Sequence, residues 1–317
     1  MPILTLRDAA TGATARILPE IGFNCFAFQA PVAGHIVDVL DADPAFAAGA
    51  AKPSGSGIPL LFPFPNRIRG GRFQWAGVDY QLPRNNAQGH AIHGFVFDRP
   101  WRVTEQEPCS ATGEFQLSLD APDRRKLWPA DFLIAVTYTL RGPALRCDVR
   151  IANPGSEPLP WGLGMHPYFC TPLAPTSRRE ECLIQAPAGE LRELVENLPT
   201  GRRLPIPPAL DLREGVPLGG LKLDDAYTAM RVVGGQIQSL VMDAPAGLQV
   251  TQTTDAAFRE FIAFTPPHGR SVCLEPYTCT TDAVNLAALG IDSGWRVLAS
   301  GEEFQTWFEL RAGLIVA

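Results

Sequence analysis

Leu133-Ile134-Ala135-Val136-Thr137-Tyr138-Thr139-Leu140, then a turn, then Leu145-Arg146-Cys147-Asp148-Val149-Arg150-Ile151 is the stretch from which the fold is read. Both runs are rich in β-branched and aromatic residues. The second alternates apolar and charged side chains strictly, the period of a strand with one face buried and one wet. The same strand–turn–strand rhythm extends outward in both directions. Toward the N-terminus it predicts a hairpin of Leu4–Arg7 and Ala13–Leu18 around Gly12, and a pair formed by Cys25–Ala30 and Ile36–Leu40. A tight hairpin follows, Arg72–Trp75 and Val78–Leu82 across Gly77, with further strands at Arg102–Thr104 and Glu114–Leu119. Toward the C-terminus the strands are Ala229–Val233, Ser239–Met242, Glu260–Phe264 and Phe304–Leu310.

Thirty prolines and 29 glycines punctuate the chain too often for long helices. The best helical signal is Ala283–Leu289, with a turn near Ala209–Arg213. Residues 41–57, rich in Ala, Gly and Ser, read as a loop, and the proline-rich segment 187–224 reads as loops laid over the sheets. There is no low-complexity linker and no internal repeat. The expectation is an all-β fold, a large antiparallel sandwich or barrel with few short helices, built as one domain over residues 1–317.

Composition narrows the function. A chain of 317 residues with 46% hydrophobic content is long enough to bury a substantial core. A net charge of −6 and a pI near 5.4 argue against a nucleic-acid or anionic-membrane partner, either of which needs a dense basic patch. The seven cysteines are odd in number and scattered, with no CxxC pair and no zinc spacing, and read as reduced thiols. Met1-Pro2-Ile3-Leu4-Thr5 has no basic region followed by an apolar run, and no apolar run has membrane-spanning length, so the expectation is a chain without a signal peptide in the cytoplasm.

Five histidines are present, at 35, 90, 93, 166 and 268. His35 sits in an expected turn, and His90 and His268 are flanked by glycine and read as loop residues. His166 differs, because it lies between Trp161-Gly162-Leu163-Gly164-Met165 and Pro167-Tyr168-Phe169, an apolar strand end with no evident need for a polar ring. His93 precedes Gly94-Phe95, where a glycine admits close approach of another group. Glu275 stands in Val272-Cys273-Leu274-Glu275-Pro276, an apolar strand ending at proline, where a carboxylate is costly unless paired or used. Burial there raises its proton affinity toward the range of a general base. Taken alone, Asp224 and Asp225 read as a solvated turn. No GxGxxG, P-loop, GxSxG or HExxH motif occurs. Glu275 with Asp224 is formally a glycosidase pair, but two histidines and one carboxylate suit reversible proton transfer better.

The run Asn66-Arg67-Ile68, Gly71-Arg72-Phe73, Gly77, Tyr80-Gln81-Leu82, His93-Gly94-Phe95 and Trp101 resembles the aldose 1-epimerase (galactose mutarotase) family. Trp128-Pro129-Ala130-Asp131-Phe132, His166-Pro167-Tyr168-Phe169, Leu223-Asp224 with Tyr227, and Leu274-Glu275-Pro276 continue the resemblance in order, from about Ile17 to Phe308. It implies a β-sandwich of large antiparallel sheets and interconversion of the α and β anomers of a free, galactose- or glucose-like aldose. It further implies Glu275 as the base at the anomeric hydroxyl, His166 as the acid at the ring oxygen and His93 as a hydrogen-bonding partner near both. Asn66, Arg67, His93 and Asp224 would hold the sugar, with Tyr168 or Trp161 packing on its apolar side. No cofactor and no metal are implied; the partner is a monosaccharide, and the chain is a monomer or homodimer.

The sequence departs from the family pattern in having Pro167 after the acid histidine, a single Gly94 after His93, and Arg259 near the place of a sugar-binding glutamine. These departures leave the sugar open. A hexose-6-phosphate 1-epimerase is the nearest alternative, with Arg69, Arg72, Arg84 or Arg99 as phosphate ligands. A sugar-binding protein without turnover is the other.

Overall fold

The two runs with which the reading began are neighbouring strands, Leu133–Arg141 and Ala144–Ala152, in a computed structural model that describes residues 1–315. Their antiparallel register sets Ile134 opposite Ile151, Val136 opposite Val149 and Tyr138 opposite Cys147. Each of these side chains is buried, so period-two alternation becomes a row of cross-strand apolar pairs on one face. The charged residues between them, Arg146, Asp148 and Arg150, stand on the other face. These strands belong to a nine-stranded sheet that continues through Glu303–Leu314, Leu248–Asp255, Gln236–Asp243 and Cys182–Gln185. Every strand pairing described within it is antiparallel.

A second sheet of eight strands carries the chemistry. Its middle is Ser271–Tyr277, flanked by Glu260–Phe264 on one side and by Gly164–Met165 and Tyr168–Cys170 on the other. Val272 and Leu274 point into the main core, which they share with Phe115, Val136, Val149 and Phe308 of the nine-stranded sheet. The core therefore lies between two sheets, the arrangement of a sandwich. Gln252 crosses it, its amide donating to the Leu274 carbonyl at 3.1 Å. By alternation Cys273, Glu275 and Tyr277 project from the opposite face, and loops cover them there: all seven residues of the strand are buried. A four-stranded sheet from residues 4–38 adds to one side. The fold is all-β and antiparallel, with short helices at Leu117–Asp120 and Ala283–Ala288.

Several expectations are corrected. The segment 187–224 is not only loop: Glu190–Val195 and Leu198–Pro205 form a hairpin at the edge of the second sheet, and prolines at 199 and 205 are tolerated there because an edge strand leaves half its N–H groups unpaired. Asp224 and Asp225 begin a strand, Asp224–Thr228, rather than a free turn. That strand ends where Ala229 takes a φ of +55°, so Ala229–Val233 is not a strand. His35 opens the strand His35–Asp38 instead of sitting in a turn. The strand expected at Glu114–Leu119 stops at Gln116, because Asp120 accepts the Gln116 N–H at 2.6 Å and Asp131 accepts the Ser118 N–H at 2.9 Å, winding the chain into a helical turn. Leu248–Asp255, a central strand, is absent from the sequence reading. Its inward positions run Leu248, Val250, Gln252, Thr254, and the last two mask the apolar alternation. The Ala283–Leu289 signal is a helix over Ala283–Ala288, and the Ala209–Arg213 turn is a short 3-10 turn at Pro208–Leu210. All seven cysteines are free. Among the described residues, no helix is long and apolar enough to cross a membrane.

Candidate active site

The loops over the outer face of the second sheet enclose a cavity of about 150 Å³ above Glu275. Asn66, Arg67, His93, His166, Asp224 and Glu275, residues far apart in sequence, all line it. Lys52, Ser54, Ile92, Tyr168, Ile262 and Phe264 complete the wall.

Each polar side chain arrives by a local device. Asn66 and His93 both adopt left-handed backbone, at φ +52° and +70°, which non-glycine residues rarely do. The His93 N–H donates to the Asn66 carbonyl at 2.8 Å, tying the two together, while Arg67 pairs in register with Ile92. Gly94 makes the next step possible, because a Cβ there would lie 2.1 Å from the Phe62 carbonyl oxygen. The loop is pinned from below by Asp282, whose N–H donates to the Arg67 carbonyl and whose carboxylate accepts the Arg69 N–H. Arg67 donates to Asn66 Oδ1 at 2.7 Å and to Gln88 Oε1 at 3.0 Å, which holds its guanidinium plane at the cavity.

His166 follows the short strand Gly164–Met165, and Gly164 fits there because a Cβ would press to 2.6 Å from the Tyr277 ring. The imidazole lies parallel to the Tyr168 ring, 4.7 Å between centroids and 4° between planes. Tyr168 is itself fixed by donating to the Ser54 carbonyl at 2.9 Å. His93 meets His166 edge-on at 5.6 Å. His166 Nε2 stands 3.3 Å from Glu275 Oε1, and Tyr277 donates a short hydrogen bond to Glu275 Oε2. One carboxylate oxygen thus has a hydrogen-bond donor in Tyr277 and the other has the imidazole as its nearest polar neighbour. The Nδ1 atoms of His93 and His166 are buried without a protein partner.

Burial dominates the electrostatics. It pushes the Glu275 carboxyl well up, against the Tyr277 hydrogen bond that pulls it down; Asp224 adds to the rise and Arg67 opposes it. It pushes His166 down to about 3, with Lys52 acting in the same direction. His93 is also held well below the usual histidine range by burial and by the neighbouring His166, Lys52 and Arg67. Of the two forms of the pair that hold one proton, the neutral one with the proton on Glu275 is favoured over the ion pair, because two opposite charges cost more than none where both groups are buried.

The six sequence candidates are thus brought together. Of the two adjacent aspartates, Asp224 lines the cavity and Asp225 does not. Asp224 accepts a short hydrogen bond from Asn197 Nδ2. Of the two aromatics expected beside the sugar, Tyr168 lines the cavity with one face occupied by His166, whereas Trp161 is buried against Phe62 and Phe304, away from it. None of Arg69, Arg72, Arg84 and Arg99 lines the cavity. Arg69 faces Asp282, Arg72 bonds Gln81 and Arg99 pairs with Asp123. The cation missed is Lys52, in a segment read only as loop. Its signal is a single cation immediately before Pro53-Ser54-Gly55-Ser56-Gly57, a dense turn that leads into an apolar run. Tyr277 was legible from period two, since it must share Glu275's face.

His166, Cys273 and Glu275 present ligand atoms within 4.8 Å of one another. Burial holds the Cys273 thiol far above its ordinary range. A metal needs the thiolate, so this donor set fits an ion poorly.

Removing the Tyr277 hydroxyl tests the carboxylate's tuning. In Tyr277→Phe the bond that favours the charged form is lost, so the Glu275 pKa rises further. The shared proton is then held more tightly on Glu275 and the form with the proton on His166 becomes scarcer. The kcat/KM plateau is expected to fall and its alkaline limb to move to higher pH, and an unchanged profile counts against Glu275 as the group titrating there.

Comparisons with known proteins point the same way. The sequence is 25% identical over 256 residues to the uncharacterized protein YihR of Escherichia coli, covering 79% of this chain and 77% of that one. It is 32% identical over 161 residues to human galactose mutarotase, a match spanning 49% of this chain but 44% of the mutarotase. The fold superposes on a galactose mutarotase-like protein from Clostridium acetobutylicum with a TM-score of 0.85 at 22% identity, over 96% and 94% of the two chains. A galactose mutarotase homologue from C. elegans gives 0.83 at 19% identity, over 99% of both. With the aldose 1-epimerase family profile matching residues 27–311, nearly the whole sandwich and every residue of the cavity, the chain belongs to the aldose 1-epimerase family.

Proposed function

We propose that the chain is a mutarotase, interconverting the α and β anomers of a free aldose by acid–base ring opening and closure. One observation carries this reading: a histidine and a glutamate, 3.3 Å apart, on the wall of a small polar cavity. Opening a pyranose requires a proton to leave the anomeric hydroxyl and another to reach the ring oxygen. Two groups that hold one proton between them and face the same cavity can do both without leaving a net charge behind.

The resting neutral pair becomes competent by moving its proton from Glu275 to His166. The Tyr277 hydrogen bond and Arg67 both favour the charged carboxylate in that form. The Glu275 carboxylate then takes the O1 proton while His166 delivers its proton to the ring oxygen. Rotation about C1–C2 and closure from the other face run the transfers in reverse. Asn66, Arg67 and Asp224 supply donors and acceptors for the remaining hydroxyls, and neutral His93 donates or accepts beside the reacting oxygens.

Polarimetry on freshly dissolved α-D-glucose and α-D-galactose tests the proposal. Faster relaxation to an unchanged final rotation is expected. No acceleration with these sugars, with pentoses or with sugar phosphates would refute it. The four arginines expected to hold a phosphate lie off the cavity wall, and faster turnover of sugar phosphates than of the free sugars would overturn the choice of a free aldose.

A further inference from the structure

Asp224 borders two spaces. It lines the small cavity together with Glu275, and it also lines a groove of about 700 Å³. The two are also continuous along the chain, because Phe264 lines the cavity and Thr265, Pro266 and Pro267 line the groove. The sides of the groove are fastened to each other. The Leu223 N–H donates to Thr265 Oγ1 at 2.9 Å, and the Thr265 N–H returns to the Leu223 carbonyl at 3.1 Å.

The lining is amphipathic. Leu221, Leu223, Pro266 and Pro267 give apolar walls, and Arg179 and Lys222 add donors. Arg179 donates from Nη1 to the Leu218 carbonyl at 3.0 Å, and its buried Nε has no protein partner. A pyranose ring matches such a lining, with a C–H face for the leucine and proline surface and hydroxyls for the cations and for Asp224. A simple anion would gain nothing from the apolar walls and would meet the Asp224 carboxylate at the junction. An apolar substituent would leave Arg179 and Lys222 unused.

We propose that this groove is a second saccharide subsite, so that the preferred substrate is a reducing disaccharide. Its reducing ring occupies the cavity and its glycosyl substituent passes Asp224 into the groove. The inference rests on the mutarotase reading for the choice of reducing end, and its test separates the two. Lactose and maltose are compared with glucose and galactose, by polarimetry for turnover and by calorimetry for binding.

In the wild type at least one disaccharide is expected to exceed its own reducing monosaccharide by about tenfold in kcat/KM and in affinity. Pro267→Trp, at an exposed position on the groove wall, should remove that advantage while leaving monosaccharide turnover within about twofold. Lys222→Ala, also exposed, should raise KM for the disaccharide alone and guards against a misfolded tryptophan variant. Equal or poorer handling of both disaccharides by the wild type overturns the subsite, and so do variants that change both sugar classes alike. Disaccharide-selective binding, lost in Pro267→Trp, with no turnover of any sugar would retain the subsite and refute the mutarotase reaction. Turnover of monosaccharides without disaccharide preference would do the opposite.

Discussion

Glu275→Gln is expected to lower kcat for anomer interconversion by about a thousandfold while sugar affinity stays within a few-fold of wild type. The substitution is nearly isosteric, so the packing of a fully buried strand is kept. Burial already favours an uncharged group at this position, and the amide needs no counter-charge. The Tyr277 hydroxyl can still donate to the amide oxygen. What is lost is the ability to accept the O1 proton, which no amide does at neutral pH. Because the defect lies in proton transfer, it should appear in kcat rather than KM, and raising the pH should not restore it. Calorimetric binding measured beside polarimetric turnover separates the two quantities. A variant turning over at near wild-type rates would remove Glu275 from the reaction, and one that neither binds nor folds would point to a structural carboxylate instead.

That a residue such as Glu275 was visible in the sequence has a physical reason. A charge inside an apolar run is conspicuous because burying it is costly, and the same holds for His166 between two apolar segments. The strands were legible where one face is apolar, as in Ala144–Ala152, and lost where inward positions turn polar, as at Gln252 and Thr254. The edge hairpin of Glu190–Val195 and Leu198–Pro205 was hidden by prolines that only an edge tolerates. Lys52 and the groove were out of reach for another reason. Residues 50–57 and 218–223 are irregular loops, and nothing periodic in them says which side chain faces a cavity formed by strands far away in the chain. The different fates of the two expected aromatics follow from the same limit. Trp161 and Tyr168 are equally apolar in sequence, yet the register of Gly164 against Leu61 and Tyr277 places one in the core and the other beside the site.

His166→Asn is expected to cost about as much as the glutamate substitution, between a hundredfold and ten-thousandfold in kcat, for a complementary reason. Without a group that can deliver a proton, the ring oxygen must depart as an alkoxide into a water-poor cavity. Asparagine keeps a hydrogen-bond donor facing Glu275 but cannot move a proton between its two partners. The stack with Tyr168 is lost, so a modest fall in stability should accompany the fall in rate. The rate loss should persist at temperatures well below the melting transition. Since Glu275 and His166 hold one proton jointly, their effects should not add: the double variant should be close to the slower single one. Multiplicative losses would mean that the two act in separate steps. Unaltered activity in His166→Asn would move the acid role to His93, whose ring lies 5.6 Å away on the same cavity wall and whose own replacement would then show the large effect.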